Sequence, residues 1–212
     1  MNYISVHSQL YDNLAKEYEE KVNSRKEYNR SLVLRFTKFI KTGKKVLDVG
    51  CAVGLDTSIF ISNGFTVTGI DLSKEMVKFA KARNPAAVVI RGDFLKTNFD
   101  GTFDAIFAQS FIHLFPKADA MEVLKKMKTL LKPNGVVYIG TSKSNESRED
   151  WFEKTDYSGN HKRFKKYWTK DELRQVLLDS GFKVLDYFEI DDILYDSRNP
   201  LDKVRMVFIV KN

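Results

Sequence analysis

Residues 45–73, KVLDVGCAVGLDTSIFISNGFTVTGIDLS, constrain this chain more than any other stretch. Lys45 to Val49 is a short β-branched and leucine run, a buried strand by pattern. Gly50, Cys51, Ala52, Val53 and Gly54 make a tight turn of small or flexible residues. Asp56 and Thr57 open a helix that runs to about Asn63, where Gly64 stops it. Phe65 to Ile70 is a second apolar run, and Asp71 ends it. A strand–turn–helix–strand unit with glycines in the turn and a carboxylate after the second strand binds the nucleoside end of a cofactor. It does so at the carboxyl edge of a parallel sheet.

The NAD fingerprint requires glycine at the first, third and sixth positions of the turn. Here those positions hold Gly50, Ala52 and Leu55, so two of the three fail. Asp48, just before the turn, would repel a pyrophosphate and suits a cationic ligand. S-adenosylmethionine has no phosphate and carries an ammonium and a sulfonium. Asp71 is suited to accept both hydroxyls of its ribose. Asp48, Gly50, Gly54 and Asp71, in register between two expected strands, resemble the class I SAM-dependent methyltransferases that act on small molecules. The first motif of that family reads roughly acid-x-G-x-G-x-G. Ala52 replaces its middle glycine and is expected to narrow the turn only slightly. A generic turn without a ligand and an NAD(P) dehydrogenase are the competing readings of this bend.

A length of 212 residues suits one domain with its own core. Hydrophobic content of 43% and charged content of 30% fit a globular chain. No apolar run approaches the roughly 18 residues of a membrane span, and MNYISVHSQLYDN lacks the pattern of a secretory signal. A single cysteine excludes an internal disulfide and fits a cytoplasmic setting. Cys51 reads as a small packing residue of the cofactor turn. No Cys/His cluster points to a metal. The net charge of +7 raises the question of nucleic acid, but the lysines are scattered along the chain and solvate helix faces.

The remaining segments extend the resemblance from Tyr11 to the end of the chain. Residues 1–42 read as N-terminal helices, Ser8–Lys21 and Asn23–Lys41, with YDNLAKEYEE similar to a family element that closes over the active site as a lid. Tyr11 and Tyr18 share one face of that lid and are expected at the substrate. Leu72–Ser73 turns into the helix Lys74–Arg83, with Ser73 as N-cap. In the family the start of this helix contacts the adenine, which brings in Leu72 and Met76. Asp93 follows a third strand, and the resemblance gives it the adenine amino group, with Phe94 covering the ring.

Phe103 to Ala108 is a fourth strand, and Gln109 to Pro116 leaves its carboxyl end as the family's fourth motif does. Asp119–Leu131 is a helix, Lys132–Gly135 a hairpin-like turn and Val136–Thr141 the fifth strand. Residues 142–168 are polar and without period, a long insert expected beside the acceptor. Its aromatics Trp151, Phe152, Tyr157, Phe164, Tyr167 and Trp168 are candidate walls, and Arg163 is a candidate partner for an acidic substrate group. The string HKRFKKYW also reads as a nucleic-acid contact. Thr169 and Glu172 form a capping box. Phe182–Ile190 and Val204–Val210 are strands joined by a turn-rich link, Asp191–Asp202, with no helix between, so the last strand is antiparallel.

The expected fold is therefore α/β, a three-layer Rossmann-like sandwich. It has a seven-stranded, mostly parallel sheet with an antiparallel last strand, under an N-terminal helical lid. The expected function is transfer of a methyl group from S-adenosylmethionine to O or N of a small molecule. His113 is the candidate base, since its ordinary pKa suits neutral pH. Gln109 joins the cofactor residues, and Arg163 and Tyr167 join the substrate residues. The alternatives are an RNA or protein methyltransferase and a non-catalytic partner of the same fold. The sequence leaves monomer or homodimer open.

Overall fold

The structure, a computed structural model, describes residues 2–154, 158, 161–191 and 204–212. Two helices come first, α1 (Tyr3–Glu20) and α2 (Val22–Thr37). The alternating core follows as β1 (Lys45–Val49), α3 (Leu55–Ser62), β2 (Thr66–Asp71), α4 (Lys74–Arg83), β3 (Val88–Arg91) and β4 (Phe103–Gln109). It continues with α5 (Lys117–Leu130), β5 (Leu131–Ser142), β6 (Arg148–Lys154), β7 (His161–Tyr167), α6 (Lys170–Asp179), β8 (Lys183–Asp191) and β9 (Val204–Lys211).

Seven strands form one sheet in the order β3-β2-β1-β4-β5-β9-β8. The first five are parallel. β9 inserts between β5 and β8 and is antiparallel to both. The expected Rossmann-like sheet with its antiparallel last strand is thus the observed one. β4 and β9 sit inside it and are buried on both faces, which their near-continuous apolar runs require. Alternation along the strands feeds two cores. Leu47, Val49, Ile106 and Phe208 face α5 and α6, where Val123, Met127 and Leu177 pack. Val46, Phe107, Tyr138 and Ile209 face α2 and α3, where Phe36 and Phe60 pack. Each fully buried side chain of this size contributes about 1.5–3 kcal/mol.

Caps set the helix starts. The Asn2 side chain accepts from Ile4 N, so α1 begins at Tyr3 and not at Ser8. Ser73 caps α4 by accepting from Met76 N. Thr169 caps α6, but Glu172 does not complete a capping box. Its carboxylate instead pairs with Lys117 and Lys166. The expected turn at Lys132–Gly135 is absorbed into β5, with Asn134 at φ 64° beside a register shift against β4.

The insert is more ordered than its polar composition suggests. β6 and β7 pair as an antiparallel ribbon, with Trp151 opposite Phe164 and Phe152 opposite Arg163. Tyr157 lies outside the described residues. Asp191 closes β8, and the rest of the link to Asp202 also lies outside them. Among the described residues no helix is long and apolar enough to cross a membrane.

Candidate functional site

The bend after β1 is built from left-handed residues at every second position. Gly50 has φ 71°, Ala52 φ 47° and Gly54 φ 78°. The amides of Gly50 and Cys51 both donate to Ile70 O, at 2.8 and 3.0 Å, and fasten the bend to the end of β2. Asp71 then locks it. Its Oδ2 accepts from Ala52 N and its Oδ1 from Ser73 N, both at 2.9 Å. Burial pushes the Asp71 carboxyl up to about 6, against the pull of those amide donors. Cys51 packs under the bend against Gly69, and burial drives its thiol pKa upward, so it stays a thiol.

Ala52 is the strained member. An alanine in the left-handed region costs roughly 1–2 kcal/mol, partly offset by its lower entropy in the unfolded chain. Ala52→Gly is expected to stabilise the protein by about 0.5–1 kcal/mol, read as a Tm rise of ~1–4 °C. An unchanged or lower Tm would show that the bend carries no strain there.

A cavity of about 290 Å3 opens along the carboxyl edge of the sheet. Its wall includes Gly50, Cys51, Asp71 and Leu72 from the first unit and Met76 from α4. Asp93, Phe94, Gln109 and His113 join them from beyond β3 and β4, and Tyr11, Tyr18 and Arg163 from the roof and the ribbon. Three expected cofactor and substrate residues are elsewhere, and the candidate aromatic walls Trp151, Phe164 and Trp168 do not line the cavity either. Asp48 is 2% exposed and accepts from Thr57 Oγ1 at 2.6 Å. Burial, with Asp56 and Asp71 close by, raises its pKa. It therefore braces α3 and offers the cavity no charge, contrary to the expectation of a cation-facing carboxylate. Gly54 starts α3 behind the wall, where its carbonyl accepts from Asn84 Nδ2 at 2.8 Å. Tyr167 faces Arg148 and Lys165 within the ribbon.

Two buried acceptors on the wall lack a hydrogen-bond donor among the described residues. They are Asp93 Oδ2 and Gln109 Oε1. Asp93 Oδ1 accepts from Leu95 N at 3.0 Å, and Lys96 Nζ stands 3.8 Å from Oδ2. A desolvated acceptor without a donor costs roughly 1–3 kcal/mol, so these atoms are suited to a ligand's donors.

His113 sits in the short 3-10 turn Ile112–Leu114, buried, with Nδ1 3.1 Å from Thr141 Oγ1. Burial, then Arg163, Lys165 and Arg205, lower its pKa well below the usual histidine range. It is neutral at pH 7, and Nε2 is the ring nitrogen left uncommitted by Thr141.

The roof is α1. Asp12 accepts from Ser73 Oγ at 2.6 Å and Glu75 N at 3.1 Å, tying the roof to α4. Tyr11 OH accepts from Arg163 Nη1 at 2.7 Å, and the His7 ring meets Phe164 O at 3.2 Å, tying it to β7. The same strand bears on nucleic acid. Arg163, Lys165 and Lys166 are 8%, 1% and 3% exposed, which leaves Lys162 as the exposed cation of HKRFKKYW.

Several wall residues were not anticipated. Arg205 is a charge within the apolar run VRMVFIVK, which was its signal. It donates to Ser110 Oγ at 2.6 Å. Ser110 lies at φ 57°, which no sequence pattern announces. Asp56 was read as a helix opener. It lines the cavity and accepts from Asn29 Nδ2 at 2.8 Å. Asp12, which is off the wall, belongs to the lid string, and its hydrogen bonds to Ser73 and Glu75 form only where α1 packs on α4.

A sequence model described as a methyltransferase domain matches residues 18–187. The putative methyltransferase YqeM of Bacillus subtilis is 31% identical over 145 residues, 64% of this chain and 56% of that protein. A ubiquinone biosynthesis O-methyltransferase of Chromobacterium violaceum is 34% identical over 109 residues, 49% of this chain and 46% of that protein. The chain thus spans about half the length of these curated relatives. Among solved structures, the fold matches a Burkholderia thailandensis 1,6-didemethyltoxoflavin-N1-methyltransferase with S-adenosylhomocysteine bound. The TM-score is 0.77 at 19% identity, over 99% of this chain and 88% of that one. It also matches the magnesium protoporphyrin IX methyltransferase of Synechocystis PCC 6803 with SAM bound. There the TM-score is 0.75 at 12% identity, over 100% and 98% of the two chains.

Proposed function

From the premise that this chain belongs to the methyltransferase-domain family, we propose that it transfers a methyl group from S-adenosylmethionine to an oxygen or nitrogen of a small molecule. One observation carries the reading. Two of the carboxylates that line the cavity beside β1, β2 and β3, Asp71 and Asp93, have acceptor capacity to spare. Asp71 spends one lone pair of each oxygen on a backbone amide and keeps the others for vicinal hydroxyls. Asp93 keeps Oδ2 for an amine, beside the ring of Phe94. The first turn of α3, where a dinucleotide fold holds pyrophosphate, turns Asp56 into the cavity, which disfavours NAD(P). The relatives include both an O- and an N-methyltransferase, so the acceptor atom is left as either.

When bound, S-adenosylmethionine would supply an electrophilic methyl group on a sulfonium. The chain's own part is positioning, exclusion of water and handling of a proton. Positioning alone is worth about 7–11 kcal/mol in favourable cases. The roof, with Tyr11 and Tyr18, covers the cavity. His113, held at Nδ1 by Thr141, presents Nε2 to the acceptor's proton, as a weaker base than the ordinary histidine expected from the sequence, because burial and nearby cations lower its pKa. The buried single cysteine fits the cytoplasmic setting expected for such an enzyme.

Calorimetry with S-adenosylhomocysteine tests the cofactor, with micromolar affinity expected. A titration without heat, and without a Tm shift, overturns the reading. With an acceptor in hand, His113→Ala is expected to lower kcat by about 100-fold or more at unchanged S-adenosylhomocysteine affinity. An unchanged kcat removes His113 as the base.

A further inference from the structure

The loop after β3 carries Asp93 and Phe94 into the cavity wall, and two sets of contacts shape it. The first is internal. Residues 93–97 close as one turn, in which the amides of Lys96 and Thr97 donate to Asp93 O at 3.0 and 2.9 Å. Thr97 Oγ1 donates to the same carbonyl at 2.8 Å. Gly92 lets the turn fold back on β3, since a Cβ there would stand 2.4 Å from Thr97 Oγ1. Leu95 N holds Asp93 Oδ1 at 3.0 Å, so Oδ2 is the oxygen without a donor among the described residues.

The second set comes from α5, through one side chain. Lys126 Nζ donates to Leu95 O at 3.0 Å and to Thr97 O at 2.6 Å. The same ammonium lies 5.4 Å from the Phe94 ring centre and 5.7 Å from that of Phe99. On its helix Lys126 stands between Val123 and Met127, both buried, so its stem leaves α5 beside the core. Partial burial lowers the Lys126 pKa and the Asp93 charge raises it, so the two groups lie within each other's field. One cation thus closes the turn, contacts the ring of Phe94 and feels the carboxylate.

We propose that Lys126 is the positioning residue of the adenine subsite. By clamping the Leu95 and Thr97 carbonyls it fixes Asp93 Oδ2 and the Phe94 ring. It thereby sets the preference of the cavity for a purine that carries an exocyclic amine. An ionised carboxylate only accepts hydrogen bonds, so it gains from that amine and gains nothing from a purine without it. The gain depends on where Oδ2 is held, and hydrogen bonds from an ammonium hold a loop more firmly than neutral ones. The inference deepens the methyltransferase reading and rests on it for the identity of the ligand.

Calorimetry tests it by comparing S-adenosylhomocysteine with its deaminated analogue, whose purine carries hydrogen in place of the exocyclic amine. Wild-type protein is expected to bind the amine about tenfold or more tightly. Lys126→Met keeps the stem, removes the donor and should lose most of that preference. Lys126→Arg can donate to both carbonyls, should keep most of it and controls for loss of fold. In an Asp93→Ala background, Lys126→Met should weaken S-adenosylhomocysteine much less than it does in wild type. A general loss of support would weaken both backgrounds alike.

A preference that survives Lys126→Met overturns the inference, as does an equal loss of both ligands. So do additive effects of the two substitutions, or a loss in Lys126→Arg as large as in Lys126→Met. Wild-type protein that binds both ligands equally well removes Asp93 from the amine, and Lys126 with it. Failure of the wild type to bind S-adenosylhomocysteine at all is a different result. It overturns the methyltransferase reading itself, and this inference falls with it.

Discussion

Asp71→Ala is expected to weaken S-adenosylhomocysteine binding by at least about 100-fold, with the fold retained. A hydrogen bond to a charged group is worth about 1.5–3 kcal/mol. Two ribose hydroxyls on one buried carboxylate therefore supply ~3–6 kcal/mol, or roughly two to four orders of magnitude. The variant also releases the amides of Ala52 and Ser73, which loosens the bend around the ligand. Asp71→Asn keeps one carbonyl acceptor and should fall between the two.

The pH dependence follows from the same group. With its carboxyl pushed up to about 6 by burial, Asp71 is ionised at pH 7.5 and mostly protonated at pH 5. Hydroxyl donors prefer the ionised form, so affinity should be level above about pH 7. It should drop by about tenfold near pH 5. Calorimetry at the two pH values on wild type and Asp71→Asn separates this group from the rest, since the variant should lose most of the drop. Unchanged affinity in Asp71→Ala would end the assignment of the ribose site.

Gly54→Ala is expected to cost about 2–4 kcal/mol of stability. The left-handed backbone accounts for roughly 1–2 of this. Crowding accounts for the rest, because a Cβ at this position would stand 2.5 Å from Asn84 Nδ2 and 3.0 Å from the Ala80 Cα. Asn84 can turn aside, but Ala80 is backbone, so α4 would have to move off the bend. Gly101→Ala is the control. It has φ 86° and nothing within 4 Å of an added Cβ, so it pays only the backbone term. Denaturant unfolding should separate the two variants by more than about 1 kcal/mol. Equal losses would show that the close approach of α4 carries no weight.

The sheet and the lining of the cavity beside β1, β2 and β3 were legible in the sequence because they rest on local rules. The runs KVLDV and FDAIFA have the continuous apolar character of strands covered on both faces. Gly50, Asp71, Ser73 and Asp93 sit at strand ends, where turn chemistry and capping fix them. Asp48 was misjudged although the same rules reach it. In a strand whose Leu47 and Val49 face α5 and α6, the residue between them must face α3. It meets Thr57 there, not the ligand.

Beside the ribbon, Arg163 and Phe152 were legible as lining residues, but the burial of Lys165 and Lys166 was not, because a strand assembled from cations and rings reads as surface. Arg205 reaches the cavity only because β9 crosses the sheet between strands distant from it in sequence.

That crossing has a consequence for the making of the protein. While the chain is being synthesised, β5 and β8 are complete before residues 204–211 leave the ribosome. Their facing edges stay open until then. An open, apolar edge invites pairing with another nascent copy. A segment made after both of its neighbours thus seals the sheet from within.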